Sequence, residues 1–360
     1  MQLARGLEPD LGPVVGVAAS NLRAWVRTQL DRHGRSAGQY SALGPDPWQI
    51  LPHLSEGPVA EEVGFSAVLE GRWCSVVWRG PVIDPTNDPL ALQQLQDRAH
   101  ATHRQLVVLG ADDSMQAAGV SLGFRQYWLG TECFVALPEW NMDGGRRSKL
   151  RWARSHAAST CWWREASPTI DLETQRQMLE VEQTWKNARA PRSNDSFLRT
   201  SLLEIADVRR YFVCVQRAPS GAEQIIAYVA VTPLNERSWY LQDCVRLPTA
   251  VRGALEGALV LALDTLRDAG FAEASNGVLP MWAPDGAPYS RPSGPVIHTL
   301  INQFDRRYRF SGLNQFRLKV EPDRTVPAFA LIWPPRLSPR AAASLTRLTT
   351  RAAPTPLDSD

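Results

Sequence analysis

Lysine is scarce in this chain. Of its 39 cationic residues only Lys149, Lys186 and Lys319 are lysines, and the other 36 are arginines. That bias by itself assigns no function, because codon composition can produce it. Histidine is sparse too, at six. His100 and His103 stand three apart in a helical segment without a third ligand nearby, and His298 lies in another helical segment, so no metal is expected. The five cysteines (Cys74, Cys133, Cys161, Cys214, Cys244) are odd in number and widely spaced. They argue against a disulfide framework and fit a reducing compartment. Long apolar runs are missing: the stretches 257–263 and 326–335 fall far short of the roughly 20 residues that span a bilayer. No basic segment followed by an apolar run marks a signal peptide. The expectation is a soluble, cytoplasmic protein. A P-loop, a dinucleotide glycine fingerprint, a nucleophile elbow and zinc-type cysteine pairs are also absent.

What is present is a chain of 360 residues, 44% hydrophobic, with a net charge of +2 and 13 tryptophans. The length suits two domains and the apolar content suits real cores. Near-neutrality means that any nucleic-acid contact must come from local clusters.

The pattern reads as α/β throughout. Helices are expected over Ser20–Arg32, from Asp88-Pro89 to about Arg104, over Asp113–Leu122, Asp171–Lys186, Asp195–Ile205, Arg252–Ala269 and Gly294–Phe304. The helix at 252–269 carries Leu255, Leu259, Leu263 and Leu266 on one side, with Gly270 at its C-terminal cap. Strands are expected over Val63–Glu70 and Arg72–Trp78 as a hairpin about Gly71, then over Gln105–Gly110, Arg125–Leu137, Tyr211–Gln216, Gln224–Thr232, Ser238–Asp243, Phe271–Asn276 and Asn314–Glu321. A helix, a short turn with an aromatic and an aromatic-rich strand occur at Ser121–Leu137 and again at Arg307–Val320. Two copies of one α/β unit of about 150 residues each follow. The expected division is 1–143, a connector at 144–164, 165–336, and a loosely attached tail at 337–360. The connector holds Arg146, Arg147, Lys149, Arg151, Arg154 and Arg164, and it has no acid. It is the best local candidate for contact with tRNA or anionic lipid, against the plainer reading of a solvated helix face.

Several stretches resemble the catalytic C-terminal domain of phosphatidylglycerol lysyltransferases. They are Gly123-Phe124 leading through Gly130-Thr131-Glu132 and an apolar strand to Gly145 and Lys149-Leu150-Arg151, then Asp243-Cys244-Val245-Arg246, then Tyr308-Arg309-Phe310-Ser311-Gly312-Leu313 and Phe316-Arg317-Leu318-Lys319. The resemblance covers roughly residues 63–333. It implies two tandem GNAT-like (acetyltransferase-like) domains, each a mixed sheet flanked by helices. It also implies an aminoacyltransferase that moves an amino acid from aminoacyl-tRNA to a hydroxyl of phosphatidylglycerol, without a cofactor. The chain departs from the family at Arg317, where a lysine is usual, and at Val320-Glu321-Pro322-Asp323, which lacks the closing tryptophan. A counterpart of the family's hydrophobic multi-span region is not found in these residues.

For such a transfer the α-ammonium of the donor calls for a carboxylate, and Asp243 at a strand end suits it. Arg246 would orient Asp243, bind the terminal adenosine phosphate or neutralise a lipid headgroup. Lys319 would act as an electrophile or phosphate contact. It is preferred to Arg317, which strand alternation places on the same face. Glu132 reads as a substrate-side residue or as a structural tie between the halves. Trp239 and Trp282, like Trp162 and Trp163, could stack on adenine, although core packing is the commoner fate of tryptophan. The plain alternative for Asp243 and Arg246 is a local ion pair. Other functional readings are the same chemistry on a soluble metabolite or peptide, a CoA-dependent N-acyltransferase, and a non-catalytic tRNA- or lipid-binding module. The CoA reading is disfavoured because Glu256 stands where a diphosphate would approach the long helix. A lipid acceptor implies peripheral attachment to the inner face of the membrane. Oligomeric state is not legible.

Overall fold

A computed structural model describes residues 19–44, 48–188, 202–218, 220–288 and 310–350. Within them, one mixed sheet of twelve strands runs through the molecule. The first half supplies β1 (Gln49–Leu54), β2 (Glu62–Glu70), β3 (Cys74–Trp78), β4 (Val82–Ile83), β5 (Gln105–Ala111) and β6 (Arg125–Ala136). The second supplies β7 (Cys161–Ala166), β8 (Arg210–Arg217), β9 (Glu223–Asn235), β10 (Ser238–Arg246), β11 (Glu273–Pro280) and β12 (Arg324–Trp333). The helices are α1 (Ala19–His33), α2 (Asp88–Ala101), α3 (Asp113–Ser121), α4 (Ser148–Ala157), α5 (Leu172–Ala188), α6 (Ala254–Asp268), α7 (Phe310–Arg317) and α8 (Pro339–Thr350).

The strand order is β1-β2-β3-β5-β12-β6-β11-β10-β9-β8-β7, with β4 attached to β2. Each half contributes one parallel pair, β3 with β5 and β10 with β11, joined by a helical crossover. The last strand of each half then crosses over. β12 pairs with β5, β6 pairs with β11, and β6 and β12 pair with each other at the centre. The mixed α/β architecture in two related halves is the one expected. The exchange makes the sheet continuous across the connector, so a boundary at 144–164 does not separate the strands.

Period-two alternation explains how helices cover both faces. On β8 and β9, Phe212, Cys214, Ile226, Val229 and Val231 pack with α6, through Leu255, Leu259, Leu263 and Leu266. The alternate residues Tyr211, Val213, Val215, Tyr228 and Ala230 pack with Met178 and Val181 of α5. In the first half, α2 and α3 place Leu92, Leu95 and Met115 over Val77, Val108, Trp128 and Leu331. Asp112 caps α3 by accepting from the Met115 amide at 3.0 Å. Asp88 does not cap α2 as its position before Pro89 suggests; its buried carboxylate accepts from Arg35 instead.

Three expectations need correction. Residues 314–321 are not a strand: α7 ends at Arg317 and a 3-10 turn, Leu318–Val320, follows. The alternation of aromatic and charged residues there reflects helical packing on β11. Residues 337–350 are not loosely attached, because Ala341 is fully buried and packs with Cys74, Val76 and Trp78 of β3. Leu202–Val208 is a run of turns, so a helix does not reach Ile205. The segments 189–201 and 289–309, on which the rest of that helix and the one at 294–304 were expected, lie outside the described residues, as do Tyr308 and Arg309.

Candidate active site

β10 and β11 run side by side for only three residue pairs, Ser238 with Glu273, Trp239 with Ala274 and Tyr240 with Ser275. Beyond them both strands are irregular, β10 at Leu241/Asp243 and β11 at Ser275/Val278, and the pairing ends. Bulges of this kind re-aim side chains at sites. The bulge in β11 is built on Gly277, at φ 78°, whose amide donates to Ser275 Oγ at 3.0 Å. A Cβ there would lie 2.7 Å from Arg317 Nη1 and 2.8 Å from Tyr240 Cε2, so glycine is needed for space as well as for conformation.

Arg317 fills the gap between the parted strands. Its Nη1 donates to the Val278 carbonyl at 2.9 Å and its Nη2 reaches the Tyr240 hydroxyl at 3.5 Å. Asn276 Nδ2 donates to the Arg317 carbonyl and holds the end of α7 on β11. Two residues further, Lys319 turns away to α6, where its Nζ donates to Glu256 Oε1 at 2.6 Å. Arg317 and Lys319 therefore serve different partners, contrary to the shared strand face expected of them. Cys244, beside this gap, has its thiol pushed up to about 12 by burial, with Arg317 opposing. It remains a thiol at neutral pH and is no nucleophile.

The N-terminus of α6 is closed off. Gly253 caps it at φ 100°, with the Ala153 carbonyl of α4 where a Cβ would stand. Trp163 Nε1 donates to the Ala254 carbonyl at 2.8 Å, and its ring packs against Gly257, where a Cβ would collide with Cε2. The first-turn acid, Glu256, is 7% exposed and is neutralised by Lys319.

Asp243 is buried on the α5 side of the sheet. Its Oδ2 accepts from Arg209, whose side chain is fully buried. Arg209 Nη1 and Tyr211 Oη both donate to the Leu202 carbonyl, at 3.3 and 2.6 Å. Glu182 of α5, 4% exposed, lies within electrostatic range of Tyr211 and pairs with Lys186 at 3.0 Å. Burial raises the Tyr211 phenol, Asp243 and Glu182 add to that, and Arg209 opposes it. Arg246 is exposed near the end of β10. Neither the functional pairing nor the local ion pair of Asp243 with Arg246 forms, because residues three apart on a strand point to opposite faces.

Glu132 stands at the centre of the sheet. It accepts from the Ala37 amide at 3.1 Å and from Ser275 Oγ of β11, and so ties the two halves. Burial raises its carboxyl, opposed by Ser275 and Arg79. It also lines a cavity of about 200 Å³, whose wall includes Arg35, Asp112, Glu273 and Arg324. Trp239 is 9% exposed and packs edge-on against Phe271 at 5.4 Å, so it is core. Trp282 is half-buried beyond β11, its amide donating to the Leu279 carbonyl at 3.3 Å.

The connector is less basic than its sequence. Arg146 pairs with Asp323 at 2.7 Å and Glu321 at 3.3 Å. Arg147 is buried against Trp140, donating to the Val320 and Asn141 carbonyls at 3.1 and 3.0 Å. Arg151 donates to the Met142 and Gly144 carbonyls, and Arg154 sits 4.0 Å from Asp264. Lys149 is exposed. Most of these cations hold the connector to the sheet. Among the described residues no His, Cys, Asp and Glu cluster fits a metal ion, and no helix is long and apolar enough to cross a membrane.

Sequence reading missed Arg209, Glu182, Tyr240 and Arg79. Glu182 carried a signal, an acid on the Met178–Val181 face of α5 where apolar residues are expected. Arg209 and Arg79 carried none, since each gains its meaning from strands distant in the chain.

The phosphatidylglycerol lysyltransferase C-terminal family model matches residues 63–332. Among solved structures, the C-terminal domain of a protein assigned as a lysylphosphatidylglycerol synthetase from Agrobacterium fabrum superposes with a TM-score of 0.74 at 16% identity, over 94% of this chain and 99% of that one. L-PGS from Bacillus licheniformis gives 0.71 at 16%, over 91% and 97%. FemX gives 0.52 at 11%, over 85% and 95%. A comparison with curated proteins returns no match. With three-quarters of its length matched by that model, the chain belongs to the phosphatidylglycerol lysyltransferase C-terminal family.

Proposed function

We propose that this protein transfers an aminoacyl group from aminoacyl-tRNA to a hydroxyl of phosphatidylglycerol or a related lipid. The acceptor oxygen attacks the ester carbonyl, a new ester C–O bond forms, and the bond to the terminal ribose breaks. The proton lost by the acceptor hydroxyl ends on the ribose oxygen that leaves. The ester is already activated, so the reaction needs no nucleotide or metal. It needs positioning and stabilisation of the carbonyl oxygen as negative charge builds there.

The observation that carries the choice of donor is the closed N-terminus of α6. A CoA-dependent enzyme of this architecture uses that helix end to receive a diphosphate. Here Gly253, Trp163 and the Lys319–Glu256 pair occupy it. The other position is the gap between β10 and β11, which Arg317 fills in this state; there Arg317 and Tyr240 would turn their donors from Val278 and each other toward a carbonyl or phosphate oxygen. In this reading Arg317 and Tyr240 face substrate. Lys319 positions the end of α7 through Glu256, and Asp243 with Arg209 forms a buried pair that braces the sheet under α5.

The test is incubation with a mixed pool of radiolabelled aminoacyl-tRNAs and phosphatidylglycerol vesicles, with acetyl-CoA in a parallel reaction. Label in the lipid phase is expected. Label only in a soluble cell extract would move the acceptor to a metabolite or peptide. Acetyl-CoA turnover without aminoacyl transfer would overturn the proposal.

A further inference from the structure

Each parallel strand pair ends beside an arginine. In the second half it is Arg317. In the first half it is Arg79, the residue that follows β3. Its backbone is left-handed, at φ 59°, a conformation disfavoured for a residue other than glycine. That conformation lays the side chain across Gly110 and Gly38, where Cβ atoms would meet Arg79 Cδ at 3.1 Å and Nε at 3.4 Å. Both glycines are themselves left-handed, at φ 77° and 90°. Three unusual backbone conformations are thus spent on placing one guanidinium.

That guanidinium stacks on Trp78 at 4.7 Å and has no hydrogen-bond or ion-pair partner among the described residues; its Nε is buried and unpaired. It lies within electrostatic reach of Tyr240, Glu132 and Arg317. The connecting contacts are short: Ala37, next to Gly38, donates to Glu132, Glu132 accepts from Ser275, and Ser275 pairs with Tyr240, which meets Arg317. Among the described residues Arg317 likewise has no carboxylate partner; its Nη atoms reach a carbonyl and a phenol. Glu132 is a poor counter-charge, because its oxygens are already engaged and burial favours its neutral form.

Two guanidinium groups within electrostatic reach of each other, neither in an ion pair among the described residues, form a site suited to an anion. We propose that Arg79 and Arg317 hold the phosphodiester of the acceptor phospholipid between the two halves of the sheet. Two cations match a single headgroup phosphate, whereas a tRNA end brings a run of phosphates and needs a longer basic track. The proposal deepens the lipid-acceptor reading above and rests on it for the identity of the anion.

The experiment is equilibrium binding of dihexanoyl phosphatidylglycerol, below its micellar concentration, read by tryptophan fluorescence. Wild type, Arg79→Gln, Arg79→Lys and Arg317→Gln are compared at matched thermal stability. Both glutamine variants are expected to weaken binding by about tenfold or more, and Arg79→Lys to recover part of it. In the transfer assay KM for the lipid rises while KM for aminoacyl-tRNA stays unchanged. Unaltered binding in a folded Arg79→Gln or Arg317→Gln protein overturns the subsite, and so does a wild type that binds no probe. Weakened aminoacyl-tRNA binding with unchanged lipid binding overturns the assignment to lipid. Should Arg79→Gln fail to fold, Arg79→Lys and Arg317→Gln carry the same comparison. Binding through Arg79 in a protein that transfers nothing would leave the subsite standing and remove the transfer reading alone.

Discussion

Replacing Asp243 with alanine does two things that the structure separates. It removes a buried carboxylate beneath α5, and it takes the Asp243 charge away from the fully buried Arg209 guanidinium. The Arg209 side chain is fully buried and that of Asp243 is 5% exposed, so solvent screens neither. Breaking one side of a buried pair costs about 3–5 kcal/mol. At about 2.1 cal/mol/K of unfolding entropy per residue, each kcal/mol lowers the melting temperature of a chain of this size by about 1–2 °C, so a drop of roughly 3–10 °C is expected. The double variant Asp243→Leu/Arg209→Met removes both charges at similar volume and should regain most of that loss, because paired apolar replacements are often neutral. Scanning calorimetry and urea unfolding of the two singles and the double give the coupling directly. Transfer measured below the lowered melting temperature then isolates chemistry from folding. If Asp243→Ala melts within about 1 °C of wild type, the pair does not carry the stability argued from its burial, and the reasoning fails.

Three other outcomes follow from named contacts. Burial holds the His53 imidazole, between Ser66 Oγ and Gln94, down to about 4. Its folded value lies below its unfolded one, so the neutral form contributes stability that is whole above about pH 6.5 and falls away as pH drops toward 4, by about 3 kcal/mol at most. His53→Gln should flatten the acid side of the urea midpoint, and an unchanged slope would contradict this. Glu132 has the opposite sign. Its raised carboxyl disfavours the folded state as pH climbs past the unfolded value, so Glu132→Gln should gain on wild type between pH 4 and 7 in the same assay. Arg147→Ala strips two carbonyls and the Trp140 face of a buried partner and should cost about 3 kcal/mol. The salt dependence of tRNA binding should not change, since that guanidinium does not face solvent.

Much of the second half was legible. The helix at 254–268 follows its leucine stripe and its glycine terminator, and Lys319 beside Glu256 occupies the end of it where a CoA diphosphate would approach. The two-copy pattern was legible, although its second aromatic-rich strand is expected too early, at 307–320, where α7 stands; the strand that matches β6 is β12, further along. The crossing of β6 and β12 was not, because strand partners so far apart in the chain leave no local signature. Residues 314–320 misled for a related reason. Alternating Phe316, Leu318 and Val320 fits a strand by period, yet α7 and its 3-10 extension put Val320 in the α6 core and Arg317 in the gap beside β11. At the site, residue types were legible and partners were not. Asp243 was singled out, but its cation is Arg209 rather than Arg246, which alternation turns to the other face. The basic connector looked like a binding surface because its acids, Glu321 and Asp323, arrive from the far end of the chain.

The most direct measurement is the mass of phosphatidylglycerol recovered after incubation with the protein and a mixed pool of aminoacyl-tRNAs. The account predicts a lipid heavier by one aminoacyl residue, absent when the pool is first treated with ribonuclease and absent when acetyl-CoA replaces it. Lipid recovered unchanged, with an aminoacyl or acetyl group appearing only on a soluble compound, would contradict it.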